Sequence, residues 1–306
     1  MAKQFRIALI LGVAMAMSVL ISACGSTTTG SGSTPTAVVS VPGKLTCVQG
    51  SMTADGSTAL APLVQAVAKD YQSKCSGSTI TVNLGGSKTG LSDAEAGAVQ
   101  IGNSDVFASS TQSDLKDHQV AVVIFTLLIN SKVTGVTGLT TAQIKSIYSG
   151  SITNWKQVGG PDLKIVVVSR PASSGTRATF QKYILGGPES ISGPSSLTSD
   201  STGTVVQNIS QTDGAIGYAA LGAAKASGLT MLTIDGSAPT PSLSESNTYK
   251  FWNIEHMYTK GTPSGLAQAL IDYMSSDAAK TLANGLSFVS ISDMQQSALQ
   301  AHQPAS

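Results

Sequence analysis

Residues 170 to 176, Arg170-Pro-Ala-Ser-Ser-Gly-Thr176, gather one guanidinium, three hydroxyls and a glycine into a single short turn. Before it, the apolar run Ile165 to Val168 reads as a buried parallel strand; after it, Phe180, Tyr183 and Ile184 fall at helical spacing. Such a turn leaves backbone N–H groups unpaired at the positive end of a helix, and an arginine adds a planar fork of donors beside them. Those groups suit an oxyanion. The plain alternative is a well-capped helix, with Ser173 or Ser174 as its N-cap and Arg170 as a solvated charge.

The elements needed to position a larger site recur upstream. Leu45, Cys47 and the residues after them read as a first strand, and Leu60, Leu63, Val64, Val67 and Tyr71 as a helix, so Ser57 and Thr58 stand at a helix start. Ile80, Val82 and Leu84 alternate as a strand, and Gly85-Gly-Ser-Lys-Thr-Gly90 turns from it into a helix that begins near Ser87. Lys88 in that turn reads as a solvated loop lysine. Val99 to Asp105 is a third short strand, ending on a carboxylate that in isolation would be a turn or cap residue. These turns converge only if the strands' carboxyl ends share an edge, as in open α/β sheets.

The 306 residues suffice for one large or two medium domains. Charged side chains are only 11% of the chain and glycines number 31, so the surface is built from hydroxyls and short polar loops. This composition excludes a disordered chain and a nucleic-acid binder. Lys3 and Arg6, the apolar run Ile7 to Ile21 and the small residues Ser22 and Ala23 form a secretory signal at 1–23. The ending Leu20-Ile-Ser-Ala-Cys24 resembles a bacterial lipobox, which implies that Cys24 is acylated. A short transmembrane anchor is the alternative. Residues 24–43 read as a flexible Gly/Ser/Thr tether. Without the leader the net charge is −1, so anion affinity must come from local dipoles and hydrogen bonds.

Further on, Gln119 to Asn130 is an apolar segment long enough to run from one core into another, and Leu139 to Tyr148 reads as a small amphipathic helix leading to Ile152-Thr-Asn-Trp155. After a polar stretch from Gly186 to Gly203 come Val205 to Ile209 and the short strand Asp213 to Tyr218. Residues 235–247 read as a loop, Tyr249 to Trp252 with Glu255 to Tyr258 as a strand, and Leu266, Leu270, Ile271, Met274 and Leu282 as helical surface. Cys47 and Cys75 form an even pair in an exported chain and suggest a disulfide, with two buried free thiols as the other reading. His118, His256 and His302 are far apart and give no metal-ligand spacing. His256 reads as a structural hydrogen-bonder, and Asp114, Lys116 and Asp117 as a solvated face. Ser174 has neither a Gly-x-Ser-x-Gly elbow nor an evident base.

With these segments in order, the chain from about Lys44 resembles the phosphate-binding lipoproteins of bacterial phosphate ABC transporters, which have the type II periplasmic-binding-protein fold. The resemblance rests on Gly56-Ser-Thr58, Gly86-Ser-Lys-Thr-Gly90, Ile101-Gly-Asn-Ser-Asp105, Arg170 to Phe180, Gly214-Ala-Ile-Gly-Tyr218, Phe251-Trp252 and Glu255-His-Met-Tyr258. It implies an α/β fold of two lobes, 44–127 with 249–306 and 128–248, joined by two hinge crossovers around a ligand cleft. It also implies that Thr58 with its neighbours Ser57 and Ala59, then Ser87, Arg170, Ser174, Gly175 and Thr176, donate to phosphate, while Asp105 is the sole acceptor. Phosphate near neutral pH still has a proton for a carboxylate and sulfate does not. The partners implied are inorganic phosphate, the permease subunits of an importer, and the outer face of the cell membrane through Cys24, for a monomer without catalytic residues, metal or cofactor. Two positions depart from the family pattern: Ala172 stands where an acidic residue is usual, and Lys88 where a glycine is. The other readings are capture of molybdate or sulfate, a secreted phosphatase-like enzyme on the same anion cradle, and a sensory or adhesive lipoprotein.

Overall fold

Parallel strands need long returns, and this chain supplies them with helices. In the computed structural model, which describes residues 43–190 and 196–304, β1 (Gly50–Gly56) returns through α1 (Ala61–Lys74) to β2 (Ser78–Val82), and α2 (Ser87–Ala96) leads on to β3 (Ile101–Ser104). The leader at 1–23, Cys24 and the tether as far as residue 42 lie outside the described residues. Strand β4 (Leu115–Ile129) is followed by β5 (Gly138–Leu139), α3 (Thr141–Tyr148) and β6 (Val166–Ser169). Helix α4 (Gly175–Phe180) runs into a π-helical turn at Gln181–Leu185 before β7 (Ser196–Thr198) and α5 (Thr202–Gln211). Then come β8 (Ala215–Ala220), α6 (Leu221–Ser227), β9 (Thr230–Ile234), α7 (Pro241–Glu245) and β10 (Trp252–Lys260). The chain closes with α8 (Gly265–Tyr273), α9 (Asp277–Gly285), β11 (Phe288–Val289) and α10 (Gln296–His302).

The strands pair in the order β2-β1-β3-β10-β4-β8-β6-β7, with β11 and β9 also on β4 and β5 on β9. β1 is parallel to β2 and β3, and β6 is parallel to β7 and β8. The carboxyl ends of β1, β2 and β3 therefore share one edge, and those of β6 and β7 share another. β4 joins these groups: Leu115–Ile124 pairs with β10, and Phe125–Ile129 pairs with β8. From Ala121 to Ile129 every residue is buried, which explains why this strand shows an apolar run without alternation. The second passage of chain lies beside the first, where Phe125 N–H donates to the Phe251 carbonyl at 2.9 Å and Tyr249 Oη donates to the Phe125 carbonyl at 2.8 Å.

Helix starts follow local chemistry. Gln143 and Thr140 form a capping box on α3, and Pro62 lies in the first turn of α1, whose buried face is Leu63, Val64, Val67, Ala68 and Tyr71. The main apolar cluster extends from Met52 and Leu63 through Ile124 to Ile216 and Leu232, and a smaller one packs α5 on β8.

Some expectations change. Leu45 and Cys47 precede β1, because this segment is tied across α1 instead of pairing: Tyr71 Oη accepts from Val48 N–H and donates to the Thr46 carbonyl. Val205 and Ile209 are one buried face of α5. The expected loop at 235–247 contains α7, capped by Thr240 with Pro241 in its first turn. Asp114 and Lys116 are exposed, but Asp117 Oδ1 lies 2.7 Å from Nδ1 of the fully buried His256, so this part of the expected solvated face has a structural partner. Among the described residues no helix is long and apolar enough to cross a membrane.

Cys47 and Cys75 are joined, with Cα atoms 5.1 Å apart and a sequence separation of 28. Closing a loop of this size stabilises by about 3 kcal/mol in the chain-entropy picture. The double variant Cys47→Ser/Cys75→Ser is expected to lose about that much in urea unfolding, with an unchanged far-ultraviolet spectrum at low denaturant.

Candidate functional site

The hydroxyls at the strand ends first serve the helices that follow them. Ser57 Oγ, just after β1, accepts from Ala59 N–H at 3.1 Å and Leu60 N–H at 3.0 Å; Ser174 Oγ caps α4 by accepting from Arg177 N–H at 3.2 Å. Gly86, with φ +86°, lets the chain turn sharply from the β2 edge into α2 at Ser87. Ser87 Oγ then accepts from Asp105 N–H at 3.0 Å, just beyond β3.

These turns meet. Asp105 Oδ1 accepts from Ser57 Oγ, and Oδ2 accepts from Thr176 Oγ1 at 2.8 Å, so one carboxylate links the β1 edge to the start of α4. Arg170 follows β6, and its Nη2 donates to Thr58 Oγ1 at 3.1 Å and to the Asp200 carbonyl at 3.2 Å. Lys88 N–H donates to the Ser173 carbonyl at 3.1 Å, joining the two turns directly, while its side chain is exposed. Ser57, Thr58, Ala59, Ser87, Asp105, Arg170, Ser174, Gly175 and Thr176 are all buried and belong to this one cluster. Cys47 and Cys75 are apart from it, in the disulfide.

The electrostatics are those of a dry site. Arg170 is 1% exposed, and its Nε and Nη1 have no partner among the described residues. Burial pushes its pKa down from the ordinary arginine range while the Asp105 charge pushes it up, and a guanidinium stays charged through such shifts. Ala172 is exposed and offers no counter-charge. The nearby carboxylate Glu189 instead holds Arg177 at 3.4 Å and accepts from Tyr218 Oη at 2.6 Å; Arg177 Nη1 in turn donates to the Arg170 carbonyl at 2.8 Å. Glu189 thus fixes the Arg170 backbone and does not reach its guanidinium, whose Nε and Nη1 stay without a partner among the described residues. Among the described residues the N–H groups of Gly175 and Thr176, at the start of α4, meet no acceptor outside the helix. The sum is a fork of buried donors, a ring of hydroxyls and one acceptor carboxylate, which is chemistry for a small oxyanion carrying a proton.

Ser174 lacks an activating base: His118 is 3.1 Å from Thr259 Oγ1, His256 is paired with Asp117, and His302 is stacked on Trp252 at 3.5 Å. Among the described residues no group of three or more His, Cys, Asp or Glu side chains could hold a metal. A cavity of about 580 Å³ touches the cluster at Thr58, Ala59 and Thr202 and is walled beyond them by apolar groups such as Pro62, Val123, Leu221 and Phe288, together with Lys225 and Ser287.

Three participants were not singled out from the sequence. Thr202 opens α5, and both its N–H (3.2 Å) and its hydroxyl (3.1 Å) meet Thr58 Oγ1. It belongs to Ser199-Asp-Ser-Thr-Gly-Thr204, another hydroxyl-rich strand-to-helix turn, and that signature was there to be read. Asn253 Nδ2 donates to the Asp105 carbonyl at 2.6 Å. Glu255, part of the quoted Glu255-to-Tyr258 motif, is fully buried close to Asp105.

Comparison with known proteins agrees with this geometry. A PBP superfamily domain matches residues 42–278. The phosphate-binding protein PstS of Bacillus subtilis is 43% identical over 249 residues, covering 80% of this chain and 82% of that protein. A substrate-binding protein assigned to phosphate ABC transport in Clostridium perfringens, solved with bound phosphate, superposes with a TM-score of 0.74 at 29% identity, covering 79% of this chain and all of that one. An ABC-type phosphate transport receptor from Vibrio cholerae gives a TM-score of 0.64 at 26% identity, covering 78% and 99% of the two chains.

The approach of the two turns depends on Gly175, where an added Cβ would stand 2.2 Å from Ser87 Oγ and 2.9 Å from Asp105 Cβ. Gly175→Ala is expected to force the turns apart, with a loss of about 1–3 kcal/mol from overpacking and a larger radius of gyration in small-angle scattering.

Proposed function

The chain belongs to the PBP superfamily and to the family of its Bacillus subtilis phosphate-binding relative, and from that premise we propose that it is an extracytoplasmic solute-binding lipoprotein. It captures inorganic phosphate and delivers it to the permease subunits of an ABC importer. The single observation that carries this reading is the burial of one cation, Arg170, and one acceptor, Asp105, in the same ring of hydroxyls, Arg170 donating to Thr58 and Asp105 accepting from Thr176.

Phosphate fits each part of that arrangement. Arg170 Nε and Nη1, the N–H groups of Gly175 and Thr176, and the hydroxyls of Thr58, Ser87 and Ser174 supply donors for its oxygens, with the backbone around Ser57 and Ala59 shaping the wall. Asp105 accepts the proton that phosphate retains. Sulfate brings no proton, so two anionic oxygens would face each other without a hydrogen bond in a site that water does not screen. No step in this function breaks a covalent bond.

We assign 44–127 with 249–306 to one lobe and 128–248 to the other, with β4 and the Tyr249–Trp252 passage as hinges about which they close over the anion. Acylated Cys24 anchors a monomer to the outer face of the cell membrane.

Isothermal titration of ligand-stripped protein tests this function. Phosphate is expected to bind one to one and sulfate to give no heat. Arg170→Gln removes the charge-assisted donors and is expected to weaken phosphate by about 3 kcal/mol, roughly a hundredfold. Absence of heat with phosphate would overturn the assignment.

A further inference from the structure

Phosphate capture gives no task to a second carboxyl that lies against the first. Glu255 in β10 is fully buried, and neither of its carboxylate oxygens has a partner among the described residues. The antiparallel register of β10 on β3 pairs Met257 with Asn103 and His256 with Ser104, so one further step sets Glu255 across from Asp105. Asn253, on the same face of β10, donates to the Asp105 carbonyl at 2.6 Å. On the other side Glu255 stands opposite Ala121 of β4, next to the point where the register slips past Val120, so that strand offers it only a methyl group.

An ionised carboxylate in such a place is disfavoured by several kcal/mol unless paired. A second ionised carboxylate beside the first is strongly disfavoured in a dry site. The single charge belongs on Asp105, which receives the Ser57 and Thr176 hydroxyls and lies near Arg170. Glu255 receives none of these.

We propose that Glu255 holds a proton at neutral pH and donates it in a hydrogen bond to the Asp105 carboxylate, making it a positioning residue for the phosphate acceptor. Burial, and after it the charge of Asp105, push the Glu255 pKa well above the usual carboxylate range. The other groups around it are the neutral amides of Asn103 and Asn253; Arg170 lies beyond Asp105, and the His256–Asp117 pair is on the opposite face of β10. Two consequences follow for the site. The carboxyl pair carries one negative charge, balanced by Arg170, so phosphate does not meet a doubly charged acceptor. Asp105 is also gripped from behind, which fixes the oxygen that must meet the ligand's proton.

The role in affinity rests on the phosphate reading, but the proton itself is measured without ligand. In the full-length chain in detergent, carbon-13 labelling of glutamate carboxyls, read by infrared or NMR spectroscopy at pH 7, is expected to show one protonated glutamate that is missing from E255Q. Gln keeps a donor of the same shape, so E255Q should bind phosphate within about threefold of wild type, whereas E255L, which leaves Asp105 unsupported, should lose about tenfold or more. Stability gives a check that does not depend on E255L folding. A raised carboxyl pKa means that the unfolded state releases its proton first, so wild-type stability falls as pH rises from about 4.5 toward the folded pKa. The melting temperature of E255Q should therefore gain on wild type over that range. No protonated glutamate at pH 7, a pH-independent gap in melting temperature, or E255Q as weak as E255L would overturn the proposal. A protonated Glu255 in a chain that ignores phosphate would refute the transport function instead.

Discussion

The structure depends on keeping a guanidinium and a carboxylate out of water in the same small space. Arg170 and Asp105 are 1% and 2% exposed, and they come from opposite parts of the sheet order. Burying each charge opposes folding by several kcal/mol unless it is compensated. Asp105 finds compensation in the Ser57 and Thr176 hydroxyls, whereas among the described residues Arg170 Nε and Nη1 have no partner. On the proposed function, that imbalance is what an arriving anion would relieve, by accepting from the donors left over at both edges.

The fold places these groups economically. Parallel β1, β2 and β3 release Ser57, Ser87 and Asp105 at one edge, and β6 and β7 release Arg170 and Thr202 at the facing edge. Helices begin where the hydroxyls are, because the same oxygens that cap a helix leave its first N–H groups free for an anion. The close fit explains the glycines: Gly175 has no room for a methyl group against Ser87, and Gly86 combines a positive φ with an approach to the Ser173 carbonyl.

Much of this was legible in the sequence, where the signal was local. The apolar run at Ile165 to Val168, the helical spacing after Leu60 and the hydroxyl turns at Ser57, Ser87 and Ser174 each carry their cause within a few residues. The misses have non-local causes. Leu45 and Cys47 have strand-like residues but are diverted by Tyr71 and the disulfide. Thr202 was passed over because its turn follows a strand of only three residues, and Asn253 and Glu255 because their roles depend on the register of β10 with β3, which no local pattern encodes. Asp117 is exposed, as its sequence suggests, and only its pairing with His256, distant in sequence, is hidden from a local pattern.

The central claim is that one carboxylate selects for an anion that still carries a proton. Replacing Asp105 by Asn keeps size and polarity, removes the charge and adds a donor, so it tests that claim more directly than any deletion. Titrating Asp105→Asn with phosphate and sulfate across a pH series should show sulfate binding appear and phosphate weaken, so that the preference collapses at every pH. A variant that binds phosphate as wild type does and still rejects sulfate would contradict the account and move the source of selectivity to the shape of the donor ring.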